Sequence, residues 1–183
     1  MRTSHRWKSK PGSFDALNTF TVFESSNRYG IPDIRKDEFI PKWLIPVKQR
    51  VGYDEEMMLE GAVHFFVDDY RYEVVWNRPQ SILKTVKQCG RALSPDFSLY
   101  VDDPVALQIW NTYRSRWVTR YWQSQGIEVI PSVTWSDDKS YEFCFLGIPR
   151  NSIIAVSTVG ACSNKEVEEL FVAGFKEMLK QLT

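Results

Sequence analysis

From Ala62 to the end of the chain, apolar runs of strand length alternate with segments whose spacing predicts helices. Ala62–Val67 is a continuous apolar run that ends in two aspartates, which indicates a strand buried on both faces. Short strands are also predicted at Ala92–Leu99 and Ile127–Val133. Because buried strands joined by helices favour a parallel sheet, the sequence predicts an α/β fold. Its largely parallel sheet, with flanking helices, is expected to be open or curled like part of a barrel.

Two predicted helices connect these strands. Residues 70–88 carry apolar side chains at helical spacing, and Pro79 starts a second helical piece within them. The segment Val105–Gln125 reads as one long helix that Gly126 stops.

The C-terminal part of the chain predicts two more strands and a last helix. Tyr141–Leu146 and Ile153–Ser157 are the strands. The helix is expected over Asn164–Leu182, with Ser163 and Glu166 as a capping box.

The N-terminal part of the chain predicts an irregular arm. Prolines and glycines interrupt the first fifty residues, and Phe39–Pro46 reads as an extended segment that wraps around the body. We therefore expect an arm over residues 1–61, packed on an α/β core over residues 62–183, within one structural domain.

Charge is distributed unevenly between these two parts. Residues 1–50 hold ten basic and five acidic residues, and the remainder holds 13 basic and 18 acidic ones. A basic arm of this kind suits contact with nucleic acid, with Lys8, Lys10, Arg35 and Lys36 as the candidate binding residues. The alternative is that the arm lies across the acidic body of its own fold.

Cysteine content and hydropathy indicate the compartment. The three cysteines form no close pair, which fits a reducing environment and argues against a disulfide framework or a zinc cluster. No apolar run is long enough for a signal peptide or a membrane span. We expect a cytoplasmic protein that contacts no membrane and carries no cofactor.

Acidic and hydroxyl side chains follow the predicted strands, where parallel sheets bind their ligands. Asp68 and Asp69 follow the first strand, Asp96 the second and Asp137 the third. Asp68, Asp96 and Asp137 are the candidate residues for binding Mg²⁺ or Mn²⁺ or for catalysis. The alternative is that they only cap helices and form turns. With two histidines in the chain, the commonest general base is nearly absent, and the sequence assigns no catalytic residue outright.

The long helix carries arginines among aromatic rings. Arg116 and Arg120 are four residues apart on one face, with Tyr113 beside them and Arg114 nearby. Arginine with aromatic residues suits phosphate backbones and protein interfaces alike, so these four are further candidate binding residues. In the alternative interpretation the rings pack on the sheet, and the arginines are solvated or pair with nearby acids.

Several segments together resemble a family of uncharacterised proteins carried by phages, plasmids and bacteria, mostly Firmicutes. They are AVHFFVDDYRYEVVWNRP (62–79), SPDFSLYVDDPVALQIWNTYRSR (94–116), QGIEVIPSVTWSDDKSYEFCFLGIPRNSIIAVSTVG (125–160) and the final helix. The resemblance covers about residues 27–183. Some members are labelled replication-initiator-like, and longer relatives continue into another strand, so we expect a shorter sheet here.

The resemblance implies a mobile-element protein in the cytoplasm of a host bacterium. The favoured expectation is a protein that acts by binding, as an anti-CRISPR inhibitor of a Cas9-type nuclease, with or without binding double-stranded DNA. A homodimer is compatible with its aromatic content. The alternatives are a metal-dependent phosphodiesterase or other hydrolase that uses the acidic strand ends, and a DNA replication accessory protein.

Overall fold

Four short parallel strands form one sheet in the order in which they occur in the chain. The computed structural model describes residues 18, 21–48, 53–161 and 163–183. The strands are β1 (Trp43–Pro46), β2 (Gly61–His64), β3 (Arg91–Leu93) and β4 (Glu128–Ile130). The sheet is open, with β1 and β4 at its two edges.

Helices lie between consecutive strands and after the last one. They are α1 (Glu55–Glu60), α2 (Val74–Asn77), α3 (Pro79–Cys89), α4 (Val105–Ser124) and α5 (Lys165–Leu182). Short 3₁₀ turns occur at Asp69–Arg71 and Asp138–Glu142. The predicted fold class, a largely parallel sheet with flanking helices, is therefore confirmed.

Local chemistry sets the helix ends. Pro79 occupies the first turn of α3, where its missing N–H is not needed. Gly90 ends that helix with a φ of +69°, and its amide donates to the Val86 carbonyl. In α5 the Asn164 side chain accepts a hydrogen bond from the Val167 amide at 3.0 Å, so Asn164 caps the helix in place of the predicted Ser163.

Two clusters of buried side chains hold the elements together. The first lies between the sheet and α2, α3 and α4, and it includes Phe65, Trp76, Trp117 and Trp122. The second lies beyond β4, where Phe143 and Phe145 meet Met178 and Leu182 of α5 together with Ile31 and Ile34 of the N-terminal part. The aromatic rings of α4 therefore pack in the interior, as one of the two interpretations of this helix expected.

The predicted strands after β4 are wrong. Residues 138–142 of the Tyr141–Leu146 region form a 3₁₀ turn, and irregular turns follow it. In the Ile153–Ser157 region a single parallel bridge joins Ala155 to Ser132. Apolar content alone misled the prediction, because these side chains are buried without forming a strand ladder.

Part of the N-terminal region belongs to the sheet. Residues 43–46, predicted as part of a wrapping segment, form β1 and pair in register with β2, Ile45 opposite Val63. The Asp37 carboxylate then accepts hydrogen bonds from the Val129 amide at 2.9 Å and the Gln123 side-chain amide at 2.7 Å. The sheet therefore starts before residue 62, and the segment preceding it is fastened to α4 and β4.

No helix in the described part of the chain is long and apolar enough to cross a membrane.

Gly147 gives a test of this close packing. Its φ is +76°, and a Cβ atom there would lie 2.2 Å from the Pro32 carbonyl oxygen. Gly90 has a similar φ of +69° with nothing within 4 Å of such a Cβ. We expect Gly147→Ala to lower the unfolding free energy by at least about 2 kcal/mol more than Gly90→Ala, because backbone clash adds to the shared strain. Urea unfolding of both variants measures this, and equal losses would contradict it.

Candidate functional site

A cavity of about 730 Å³ lies where the parallel strands end. Its walls come from the residues that follow β2, β3 and β4, from those next to the bridge at Ala155, and from the first turns of α5. Asp68, Asp69, Asp96 and Ser98, all expected at the strand ends, line it. The structure thus brings together side chains that are up to thirty residues apart in the sequence.

Asp69 is held by three hydrogen bonds. The Tyr72 hydroxyl donates to Oδ1 at 2.8 Å, the Ser98 hydroxyl to Oδ1 at 3.1 Å and the Ser98 amide to Oδ2 at 2.9 Å. The 3₁₀ turn that begins at Asp69 places Tyr72 one turn further on, where its ring is fully buried. These donors fix the carboxylate and tie the segment after β2 to the segment after β3.

Asp96 has a different environment. Its Oδ1 atom is buried and has no hydrogen-bond partner. Burial raises the pKa of this carboxyl to about 8, and the nearby charge of Asp69 adds to the rise. Hydrogen bonds from its own backbone amide and from the Tyr72 hydroxyl offset the rise only in part. Asp96 is therefore mostly protonated at pH 7.

Tyr72 connects the two carboxyl groups. Its hydroxyl donates to Asp69 and also lies within hydrogen-bonding reach of Asp96. Burial raises the pKa of Tyr72, and the charges of Asp96 and Asp69 raise it further, so the phenol stays neutral. The site thus contains a carboxylate fixed by donors, a neutral carboxyl group and a phenol between them.

Arg114 supports this arrangement from inside the fold. Its guanidinium lies 3.9 Å from the centre of the Phe97 ring, pairs with Glu73 and donates to the Asn111 side chain at 2.7 Å. Asn111 in turn donates to the Ser98 carbonyl at 2.8 Å. A residue predicted to bind a partner is therefore buried, and it helps to position Ser98, which holds Asp69.

Arg116 is also buried, with 2% of its surface exposed. Its guanidinium donates to the backbone carbonyls of Leu146 at 3.2 Å, Ser132 at 3.3 Å and Cys144 at 2.9 Å. Burial lowers its pKa to about 10. All of these contacts are internal to the chain.

Two other candidates on α4 are partly exposed. Arg120 lies over the Phe23 ring, 5.5 Å from its centre. Tyr113 stacks on Trp110 with ring centres 5.7 Å apart, and burial raises the pKa of its phenol. The structure does not bring these two side chains into the strand-end cavity.

The candidates from the arm divide between described and undescribed residues. The Arg35 guanidinium donates to the Gln123 carbonyl, and Lys36 pairs with Glu38 at 2.5 Å. Two further predicted binding residues lie outside the described residues: Lys8 and Lys10. Binding of a partner by any of these four residues stays a prediction.

The three aspartates predicted as an alternative metal or catalytic set do not meet at one point. Asp68 and Asp96 line the cavity, but Asp68 pairs with Arg71 at 3.2 Å. Asp137 lies outside the cavity lining and accepts a hydrogen bond from the Lys139 amide at 3.1 Å. Among the described residues no group of three His, Cys, Asp or Glu side chains could hold a metal ion.

Sequence reasoning missed the roles of Asp69 and Tyr72. The Asp68-Asp69 pair was visible, but which of the two faces Ser98 depends on the 3₁₀ turn that follows. The spacing from Asp69 to Tyr72 is the only sequence signal for their contact, and three-residue spacing is too common to single it out.

Comparison with known proteins places the chain in a family. Residues 23–183 match the family described as domain of unknown function DUF4417. The chain belongs to this family. It is 47% identical over 178 residues to the Gene 1 protein of Mycobacterium phage L5, covering 97% of this chain and 78% of that protein. It is 45% identical over 178 residues to the Gene 1 protein of Mycobacterium phage D29, covering 97% of this chain and 66% of that protein. The resemblance to an uncharacterised phage family is thus confirmed. No solved structure matches the chain.

The buried carboxyl of Asp96 predicts a pH-dependent stability. Between 3.8 and about 8, the unfolded and folded pKa values, the unfolded chain releases this proton while the folded chain keeps it. The unfolding free energy therefore falls as pH rises through this window, by up to roughly 1.4 kcal/mol per pH unit. Asp96→Asn removes the titration, so its advantage over the wild type should grow between pH 5 and pH 8.

Urea unfolding at both pH values measures this difference. Asp137→Asn, outside the cavity, is the control for removal of an acidic side chain as such. An advantage of Asp96→Asn that stays constant between the two pH values would contradict the prediction.

Proposed function

We propose that this DUF4417 protein is an acid–base hydrolase that acts on a ligand bound in the strand-end cavity. The observation that carries the proposal is a pair of carboxyl groups whose environments differ in opposite directions. Asp69 accepts three hydrogen bonds, whereas Asp96 has a buried oxygen without a partner. Two carboxyl groups kept in different protonation states are the arrangement that general acid–base catalysis needs.

Each residue has a defined role in the proposed reaction. Asp96 enters the cycle protonated and donates its proton to the leaving group as the bond to it breaks. Asp69 uses three of its about four acceptor positions for internal donors, which leaves one to orient a water molecule and take its proton. The hydroxide that forms adds to the substrate, so the bond broken is replaced by a bond to water oxygen. Tyr72 relays the proton from Asp69 back to Asp96, which restores the starting state.

The position of the pair supports the same proposal. Open parallel sheets bind ligands beyond the carboxyl ends of their strands, and the cavity lies there. Its volume falls within the range of small-molecule sites. The N-terminal turns of α5 form one wall through Val167, Leu170 and Phe171, which shields the carboxyl pair from bulk water.

A screen of chromogenic ester, phosphoester and glycoside substrates tests the activity. We expect turnover by the wild type that falls as pH rises through about 8, because Asp96 then loses its proton. Asp96→Asn and Asp69→Asn should each lower kcat at least 100-fold, and Asp137→Asn should leave it unchanged. No turnover in the screen, or turnover that persists in Asp96→Asn, would overturn the proposal.

A direct titration tests its physical basis without a substrate. Carbon-detected NMR of side-chain carboxyl groups should show one resonance with a midpoint near pH 8 that disappears in Asp96→Asn. If that resonance instead titrates near pH 4, Asp96 is ionised at pH 7 and cannot act as the proton donor.

The second candidate function is inhibition of a Cas9-type nuclease by binding, with or without double-stranded DNA. The phage origin of the relatives favours it, since small phage proteins often act by occupying a host protein. Such an inhibitor works through its surface, with partly exposed Arg120 and Lys36 as contact residues. It does not need the carboxyl pair.

An in vitro cleavage assay separates the two candidates. An inhibitor should stop target cleavage by a purified Cas9–guide complex, and the Asp96→Asn variant should stop it equally well. DNA binding that weakens steeply with salt and leaves cleavage intact would indicate a replication accessory protein. Full cleavage with no DNA binding would remove this second candidate.

A further inference from the structure

The cavity at the strand ends is apolar over most of its wall. Aromatic rings and branched aliphatic side chains from five separate segments face it: Phe66, Leu99, Val133, Trp135, Val156 and Phe171. Trp135 and Phe171 lie together, with ring centres 5.4 Å apart. A ligand that fills this cavity therefore needs an apolar body.

The charged groups at the cavity have a negative sum. Arg71 is the basic residue in the lining, and it pairs with Asp68 at 3.2 Å. The acidic side chains of Asp69 and Asp102 then stand without a cation of the lining beside them. A negative cavity repels phosphates and carboxylates and attracts cations. The faces of aromatic rings favour cations as well.

One acceptor in this cavity is unused. Asp96 lines the cavity, and its Oδ1 atom is buried without a hydrogen-bond partner in the chain. An unpaired buried oxygen costs free energy unless a ligand supplies a donor. The donor that such an oxygen binds best is a charged N–H group.

We propose that the cavity binds an organic cation, an ammonium or guanidinium group on an apolar or aromatic body. The charged N–H group donates to Asp96 Oδ1, and the body lies among the aromatic rings. This inference rests on the proposed function for the site, whose substrate class it names. It excludes the anionic backbone of nucleic acid from this cavity.

Binding of the cation changes the protonation of the site. A cation beside Asp96 favours its ionised form, so its proton moves to solvent when the ligand binds. The charged and titratable groups that face Asp96 from neighbouring elements are Asp69, Tyr72 and Arg114, and those further along the cavity wall are Asp68, Arg71 and Asp102. Affinity for the cation should therefore rise as pH rises from 6 toward 8.

Three probes of matched shape test the inference on the full chain. They are 2-phenylethylamine as the cation, 2-phenylethanol as its neutral counterpart and phenylacetate as the anion. Isothermal titration calorimetry and backbone amide shifts report binding. We expect the amine to bind at least tenfold more tightly than either other probe, with shifts at Ser98, Val133 and Phe171.

Variants of the chain locate the site. Asp96→Asn should weaken binding of the amine at least tenfold, whereas Asp137→Asn, outside the cavity, should leave it unchanged. Because Asp96→Asn is expected to be at least as stable as the wild type, loss of binding would not reflect unfolding. A neutral probe that binds as tightly as the amine, or an amine that binds equally to Asp96→Asn, would overturn the inference.

The inference and the proposed function fail separately. If Asp96 titrates near pH 8 and hydrolysis is observed but the amine shows no preference, the choice of a cation is wrong and the hydrolase proposal stands. If the amine binds selectively but Asp96→Asn retains full hydrolytic activity, the cavity is a cation site and the acid–base proposal is wrong.

Discussion

The burial of Arg116 is the constraint on which the second half of the structure depends. A guanidinium group inside a protein needs partners for its N–H groups, and here backbone carbonyls supply them. Those carbonyls belong to Ser132, Cys144 and Leu146, in segments that make almost no strand ladder of their own. The arginine satisfies backbone groups that would otherwise be buried without a donor, and it fixes the course of the chain beyond β4.

This constraint makes α4 the organising element of the cavity. Through Arg116 the helix positions the segment that carries Val133 and Trp135, which form one wall. Through Arg114 and Asn111 it positions Ser98 on the opposite side, next to Asp69. Both walls are therefore referred to one rigid helix, and the distance between them does not depend on the loops alone.

The sequence predicted the elements whose pattern reports burial directly. Continuous apolar runs identified β2, β3 and β4, and proline and glycine marked the ends of α3 and α4, because those signals depend on local chemistry. The same logic failed at Tyr141–Leu146, where side chains are buried while the backbone carbonyls bind Arg116 and no neighbouring strand pairs with it. It also missed β1, whose two exposed residues Trp43 and Leu44 give no strand-like alternation.

The candidate site was predictable in its position but not in its members. Strand ends pointed to Asp96, whereas the choice of Asp69 over Asp68 follows from a hydrogen bond across thirty residues. The arginines of α4 show why: spacing places Arg116 and Arg120 on one face, yet the carbonyls that draw one of them inside come from distant segments. A neutral Asp96 costs folding free energy at pH 7 that an asparagine would not. A carboxyl group left without an internal partner, in a cavity large enough for a ligand, is better suited to binding and proton transfer than to stability.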